Sequence, residues 1–568
     1  MLVISALVGV FDGLGLTMFI PMFESVAKGV SNAQLGKLSF LSNFFQILGL
    51  EINLYTALLI MLFFFILKGI SKYMQGYLTA KYQEYFTHKI RSASINALSN
   101  YKFEAFVTSD AGTIQNTLSV EVQRLVIAFV KYNRMLQNAM LLLAYLLMAF
   151  FANPEFAALV ALGGLGTNIF FSKMYRKTKQ YSLELVNANN SFQGLLIQMV
   201  AFFKYLKSTS SIYTYKKYLL ARARIIEKMQ FRIGFLEALA TGIREPVIIA
   251  VVVSVILFSI NVMGEPLGAI LLSLVLFYRA LTSVMSMQSE YNNFLALSGS
   301  LNQIDHFISE LKDNAGIHGS IKFNGFKNSI EIRSLSFSYS SRSILNQISL
   351  KIKKNETIAI IGESGSGKTT LINVLSGILK PTEGSVLVDG ENLSSFDLKS
   401  YQSKIGYITQ EPIIFDDDIF NNVTFWGGRN DENITRCWKA LEKANISNFV
   451  SQMPAQLDSR LGNNGINLSG GQRQRISIAR ELYKDVEILL MDEATSSLDS
   501  ETEKTIQSNI DQLKGMYTII IVAHRLSTIK NVDRVVLMSN GKIEQVGNYE
   551  YLLESSPVFE RIVKAHQN

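Results

Sequence analysis

Apolar and polar positions along this chain follow two different regimes. Up to about residue 316 the apolar runs are long: 1–23, 54–70, 135–152, 156–171, 247–262 and 267–277. Several fall short of the roughly 20 residues a bilayer demands, so each is extended into neighbouring amphipathic sequence, giving six spans. The connections are uneven. Residues 152–155 and 262–266 form tight turns, whereas 70–135 and 171–246 are long, polar and still helical in pattern. The eight prolines leave 22–153 and 155–245 free of proline, as long helices require. A helix over 54–104 would be about 75 Å long against a hydrocarbon core of about 30 Å. The helices are therefore expected to project beyond the bilayer. They should reverse at the breaker clusters VTSDAG (107–112) and STSS (208–211), with a short helix across each reversal.

Composition and charge give this pattern an orientation. Hydrophobic residues make up 48% of the 568 positions and charged residues 18%, which fits a membrane protein fused to a soluble one. The net charge of +8 is carried largely beside apolar segments, which points to anionic lipid headgroups and away from nucleic acid. The long connections are rich in Lys and Arg, while the short turns hold only Glu155 and Glu265. By the positive-inside rule Met1, the long connections and the C-terminal half are cytoplasmic and the chain is multi-pass. Residues 1–23 lack the basic leader and small-residue cleavage site of a signal peptide, so they read as a membrane helix, and the half-size layout suits a bacterial inner membrane. The single cysteine, Cys437, rules out a disulfide framework. Four charged residues lie in or at the ends of apolar spans. Lys68 and Lys72 are expected to snorkel to the interface. Asp12 and Arg279 are candidates for a substrate pathway or for an internal structural pair.

From residue 330 the period changes. A Gly/Asn/Asp-rich stretch at 312–329 marks the boundary, and IEIRSLSF (330–337) alternates like a strand. A short apolar run, TIAII (357–361), leads into GESGSGKTT (362–370) and then a helical pattern at 371–379. Strand, glycine loop and helix is the context in which this motif cradles phosphate. Gly362, Gly365 and Gly367 let the backbone turn N–H groups toward phosphate oxygens, and Glu363, Ser364, Ser366 and Thr370 complete the loop. Lys368 can reach the β- and γ-phosphates, and Thr369 can ligate Mg²⁺. The buried-strand pattern ILLM (488–491) ends in Asp492 and Glu493. Asp492 can hold the metal of a Mg²⁺-nucleotide, and Glu493 can orient the attacking water. LSGGQ (468–472) precedes a helical pattern, RQRISIARELY. Read alone, Ser469, Gly470, Gly471 and Gln472 are either a helix cap or a second anion-binding helix start for a nucleotide held by another subunit.

GESGSGKT, Gln410 in YITQEP, LSGGQ, ILLMDEATSSLD and His524 in VAHRLST together resemble the ATPase domain of ABC transporters, across the whole C-terminal half. Six helices with cytoplasmic extensions ahead of it resemble the exporter type. The resemblance implies a multidomain fold: an all-α six-helix transmembrane domain (1–316), a linker (317–329) and an α/β P-loop ATPase domain (330–568). It implies ATP and Mg²⁺. Tyr339 stacks on adenine, Gln410 senses Mg²⁺ and γ-phosphate, Ser469 and Gly471 contact the partner's γ-phosphate, Asp499 is the D-loop acid and His524 the switch histidine. It implies a dimer closing on two ATP, with a homodimer favoured over a heterodimer by the intact motifs. Two features depart from the family. Asn463 stands where an acid is usual before LSGGQ, and no elbow helix precedes the first span. The first and sixth spans, with Asp12 and Arg279, are similar to flippases for lipid-linked oligosaccharides. The expected activity is ATP-driven export or flipping of an amphiphile. The alternatives are a peptide or drug exporter and a membrane-anchored ATPase that gates without transport.

Overall fold

Each long apolar run of the first half after the first is one end of a longer helix in the computed structural model, which describes residues 1–18, 54–152, 154–261, 267–316, 319–339, 342–492, 507–508, 510–523 and 525–565. Two compact units result: Met1–Tyr101 with Ala105–Ala315, and Lys102–Glu104 with Gly316–Asn568. In the first, six helices dominate the described residues: α1 (Leu2–Thr17), α2 (Leu54–Ser99), α5 (Val122–Ala152), α6 (Pro154–Ala201), α8 (Ile212–Asn261) and α9 (Leu267–Leu295). Short helices α3 (Phe103–Thr108), α4 (Ala111–Asn116) and α7 (Phe203–Ser208) stand at the two reversals, and α10 (Ser298–Asp313) closes the unit. In α2 and α8 an 18-residue window reaches a mean hydropathy of 2.1 and 2.0, apolar enough to cross a membrane; α1 is apolar but shorter. Those windows turn large side chains outward, among them Leu62, Phe63, Ile249 and Leu257. Outward-facing apolar surface of this extent is what lipid, not water, accommodates.

The interior of this unit is built where helices share small and aromatic residues. Tyr145 on α5 packs with Phe277, Ala280, Leu281 and Met285 on α9. The first reversal is fixed locally. Asp110 caps α4 by accepting from the Thr113 N–H at 2.8 Å. Gly112 then meets Gly194 of α6 so closely that a Cβ would lie 2.5 Å from the Gly194 backbone. A turn of π-helix at Thr117–Glu121 follows, and there the buried Asn116 amide donates to Glu121 at 3.1 Å and to Asn190 at 2.6 Å. At the second reversal Ser210 takes a left-handed conformation, φ 58°.

One expectation needs correction, and one long helix holds an internal proline: α8 runs through Pro246. The ring costs one backbone hydrogen bond, which flanking turns on either side absorb. Lys68 does not snorkel. Its side chain is 16% exposed and its ammonium lies 2.5 Å from Asp12 Oδ1. The Tyr145 hydroxyl donates to the other carboxylate oxygen. A carboxylate in an apolar surround is tolerated only when paired and hydrogen-bonded, so Asp12 draws α2 and α5 onto α1. Lys72, one turn further along, is exposed as expected.

The second unit holds two sheets. One orders its four strands β2-β1-β4-β5 and the other its six as β10-β9-β3-β8-β7-β6. Here β1 is Ser329–Tyr339, β2 Arg342–Lys353, β3 Thr357–Gly362, β4 Glu383–Val388, β5 Glu391–Asn392, β6 Ile405–Ile408, β7 Ile488–Asp492, β8 Thr518–Val522, β9 Arg534–Ser539 and β10 Lys542–Gly547. The parallel strands β3, β6, β7, β8 and β9 are apolar on both faces because both are covered. Their alternation sorts cleanly. Ala359, Ile361, Leu489, Met491, Ile519 and Ile521 face one core with Cys437 and Ile476. Ile358, Ile360, Ile488, Leu490, Ile520 and Val522 face the other with Leu371 and Ile332. Burial pushes the Cys437 thiol up to about 12, so it is inert packing.

Candidate nucleotide-binding site

The glycine loop issues from the middle of the six-stranded sheet. β3 is flanked by β8 and β9, both parallel to it, and feeds α11 (Lys368–Leu375). This is the carboxyl edge of an open sheet, where such folds bind ligands. The turn is possible only with glycine. A Cβ on Gly362 would lie 2.1 Å from the Met538 carbonyl, and Gly367, the N-cap of α11, sits at φ 98°. Two side chains then converge. Lys368 is buried and donates to the carbonyls of Gly362 (2.8 Å) and Glu363 (2.9 Å). The Ser366 hydroxyl is buried and has no protein partner among the described residues. An ammonium and an orphaned hydroxyl at a helix start suit phosphate oxygens.

Across from them, β7 delivers Asp492 at its end, and the Thr369 hydroxyl donates to Asp492 Oδ1 at 3.2 Å. Two oxygen-bearing side chains, one from the helix after the glycine loop and one from the end of β7, meet at one point, and a pair of this kind suits a hard cation such as Mg²⁺. Tyr407 on β6 lies close by. Burial raises its phenol above the usual range, and the Asp492 charge adds to that. Its hydroxyl donates to Asn373 of α11 at 3.0 Å, joining β6 to the helix behind the loop. Gln410 follows β6 on an exposed bend. Tyr339 ends β1, is 39% exposed, and rests edge-on against Phe337 with centroids 4.8 Å apart. Its outer face is available to a base.

Ser469 N-caps α16, the helix Gly470–Tyr483, counting α12 as Leu398–Gln402, α13 as Ile419–Thr424, α14 as Asp431–Lys443 and α15 as Ser447–Gln452. Its hydroxyl accepts from the Gln472 N–H at 3.3 Å, and the Gln472 side chain accepts from the Ser469 N–H at 2.8 Å. That is a capping box. Ser469 is exposed, so the start of α16 remains open to an anion even though the cap is made. The preceding turn at Asn463–Gly465 exposes Asn463 and holds Asn464 left-handed. Glu493, Asp499 and His524 lie outside the described residues.

Arg480, on α16, escaped the sequence reading. It is 4% exposed. Its guanidinium donates to the carbonyls of Asn422 (2.6 Å) and Ile413 (2.8 Å) and to Asn422 Oδ1 (2.9 Å), and it lies over the Phe415 ring. It thereby ties the LSGGQ helix to the segment that follows Gln410. The available signal was a lone cation on the otherwise apolar face of SIAREL. Arg480→Ala is expected to lose about 3 kcal/mol or more, because the Asn422 and Ile413 carbonyls lose a charged donor, while Asn422 Oδ1 keeps the Phe415 N–H. Arg480→Lys should recover little, since an ammonium cannot reproduce the planar fork. Both tryptophans, Trp426 and Trp438, lie in this unit, so a fluorescence melt of the full chain reads it; an unchanged midpoint in both variants would remove Arg480 from that role.

Residues 345–496, which include the glycine loop, the LSGGQ helix start and Asp492, match the family model of the ABC transporter. Over 491 residues the chain is 28% identical to the heterocyst differentiation ATP-binding protein HepA of a Nostoc species, covering 86% of this chain and 80% of the relative. Over 517 residues it is 29% identical to the ATP-dependent lipid A-core flippase of Burkholderia orbicola, covering 88% and 84%. Its fold superposes on a bacterial Atm1-family ABC exporter with ATP bound at a TM-score of 0.81 and 19% identity, over 100% of this chain and 98% of that one. The chain thus carries an ABC transporter domain behind a long helical unit, and its fold as a whole is that of an ABC exporter.

Proposed function

We propose that two copies of this chain form a homodimer in a bacterial inner membrane and move an amphiphile with an anionic head from the inner leaflet outward. Membrane helices span 1–316, the ATPase occupies 330–568 in the cytoplasm, and 317–329 joins them. Each nucleotide is held by the glycine loop of one copy and by Ser469 and Gly471 of the other, because a single chain supplies the two halves only once. When bound, Mg²⁺ supplies charge neutralisation at the β- and γ-phosphates. Thr369, Asp492 and Gln410 hold it, Lys368 fixes the phosphates, and Tyr339 carries the base. Glu493 takes the proton of the attacking water, and His524 and Asp499 complete the site on closure. ATP favours the closed state only by its greater affinity for it, and hydrolysis returns the open one.

The observation that carries the substrate reading is a charge balance. Asp12 is neutralised by Lys68 inside the helix bundle. Arg279, half-buried on α9, makes no ion pair among the described residues, although its charge acts on the nearby Tyr145. Among the described residues the membrane half therefore keeps a cation without an ion pair, which attracts an anionic head. Two of the relatives are named ATP-dependent lipid A-core flippases, which supports a lipid as the substrate. Asp12 accordingly serves as a structural partner and Arg279 as the substrate contact. Arg279→Ala should cut transport of an anionic lipid by about tenfold or more, the worth of one charge-assisted contact; unchanged transport would remove Arg279 from the site. Mass spectrometry of lipid co-purified with the protein tests the class directly. A phosphorylated lipid enriched over the bulk membrane is expected, and a bound peptide would favour the peptide-exporter reading instead.

A further inference from the structure

A groove of about 370 Å³ lies between α2 and α5, within the membrane unit. Its size is that of a small-ligand site. The α2 side is lined by Lys72, Gln75, Thr79 and Gln83, which fall on one face at helical spacing. The α5 side presents Arg134 and Gln137, one turn apart. None of the lining residues is acidic. Among the described residues Arg134 has only a distant carboxylate, Glu290 at 3.9 Å, which Lys131 engages more closely at 3.1 Å. The Gln137 side-chain nitrogen is buried and has no hydrogen-bond partner among the described residues. A buried donor left unpaired costs about 1–3 kcal/mol, so its presence in the wall of a cationic groove asks for an acceptor from outside the chain. Gln75 donates to Ser5 at 2.9 Å, which fixes its amide and leaves its oxygen to accept.

The position along α2 adds the second half of the argument. Lys72 lies two residues beyond the apolar run 54–70, at the level where headgroups meet water. Gln83 lies about 16 Å further along the axis. The apolar part of α2 just before the groove exposes Leu62, Phe63, Ile66 and Ile70. Cations, amides and a hydroxyl line the groove along its length, and an apolar track adjoins it on the membrane side. That sequence of surfaces matches a molecule with an acyl or prenyl chain, a phosphate or diphosphate, and a hydroxyl-bearing head.

From this juxtaposition we infer that the α2–α5 groove is an inner-leaflet site for the phosphorylated head of an amphiphile, engaged by Lys72, Arg134 and Gln137 before transport. The site rests on the anionic-amphiphile reading above and is distinct from Arg279, which lies on α9. Phosphates of a transported amphiphile and of an ordinary phospholipid share this chemistry, and the test separates them.

Full-length protein in neutral-lipid nanodiscs is titrated with farnesyl diphosphate, with inorganic pyrophosphate and, in parallel, by incorporating phosphatidylglycerol. Farnesyl diphosphate is expected to bind. Lys72→Gln with Arg134→Gln should weaken it by about tenfold or more, and Gln137→Leu by about threefold or more, while Lys72→Arg should stay close to the parent. Farnesyl diphosphate binding well above both other probes assigns the groove to the transported amphiphile. Equal and equally sensitive binding of phosphatidylglycerol assigns it to bulk lipid phosphate. Undiminished binding in the double variant, with the parent's melting temperature, would overturn the site. So would loss of the dimer in that variant without a change in diphosphate binding, which would make the groove a contact with the second copy. If the groove binds as described but no lipid moves with ATP in liposomes, the transport reading fails while the site stands.

Discussion

Glu493→Gln is expected to bind ATP as the parent does and to hydrolyse it about 10²- to 10⁴-fold more slowly, the range a positioned general base contributes. The argument is local. β7 ends at Asp492, whose carboxylate already meets Thr369 at the metal position, and Glu493 follows directly in the chain. An amide keeps the size and polarity of the side chain and loses only the basic oxygen. The bound state should therefore persist, and the dimer should be trapped closed. Steady-state release of phosphate and equilibrium ATP binding, measured on the same preparation, separate the two effects. Substantial turnover in the variant would move the base elsewhere.

Lys368→Ala should act at the preceding step. The ammonium donates to two loop carbonyls and is the charge nearest the phosphate position. Hydrogen bonds to charged groups contribute about 1.5–3 kcal/mol, so ATP affinity should fall by about 10- to 150-fold, with turnover lost alongside it. The Gly362 and Glu363 carbonyls are left without that donor, so a modest fall in melting temperature should accompany the loss. Unimpaired ATP affinity in a folded variant would contradict the phosphate role.

The two halves of the chain were not equally legible. The nucleotide motifs could be read because their chemistry is tied to spacing: a loop that cradles phosphate must be short, glycine-rich and flanked by strand and helix. Thr369 and Asp492 are 123 positions apart, yet each announces itself by local context, and the fold brings them to 3.2 Å. The helical projections were legible from the period alone, and so were the reversals, since Asp110 and Ser210 are the residue types that caps and left-handed turns select. What could not be read was pairing across helices. Lys68 looked like a residue ending a span, and only packing against α1 shows that its partner is Asp12, 56 positions away. Arg480 was hidden among apolar neighbours, because its three acceptors come from 58 and 67 positions away.

The central claim is that ATP hydrolysis by this chain moves an anionic amphiphile between leaflets. The most direct measurement reconstitutes the purified protein in liposomes with a fluorescent phosphorylated lipid and follows its accessibility to a membrane-impermeant quencher on adding Mg-ATP. The account predicts ATP-dependent movement that Glu493→Gln abolishes and Arg279→Ala weakens. Full ATPase activity with no change in lipid accessibility would contradict it.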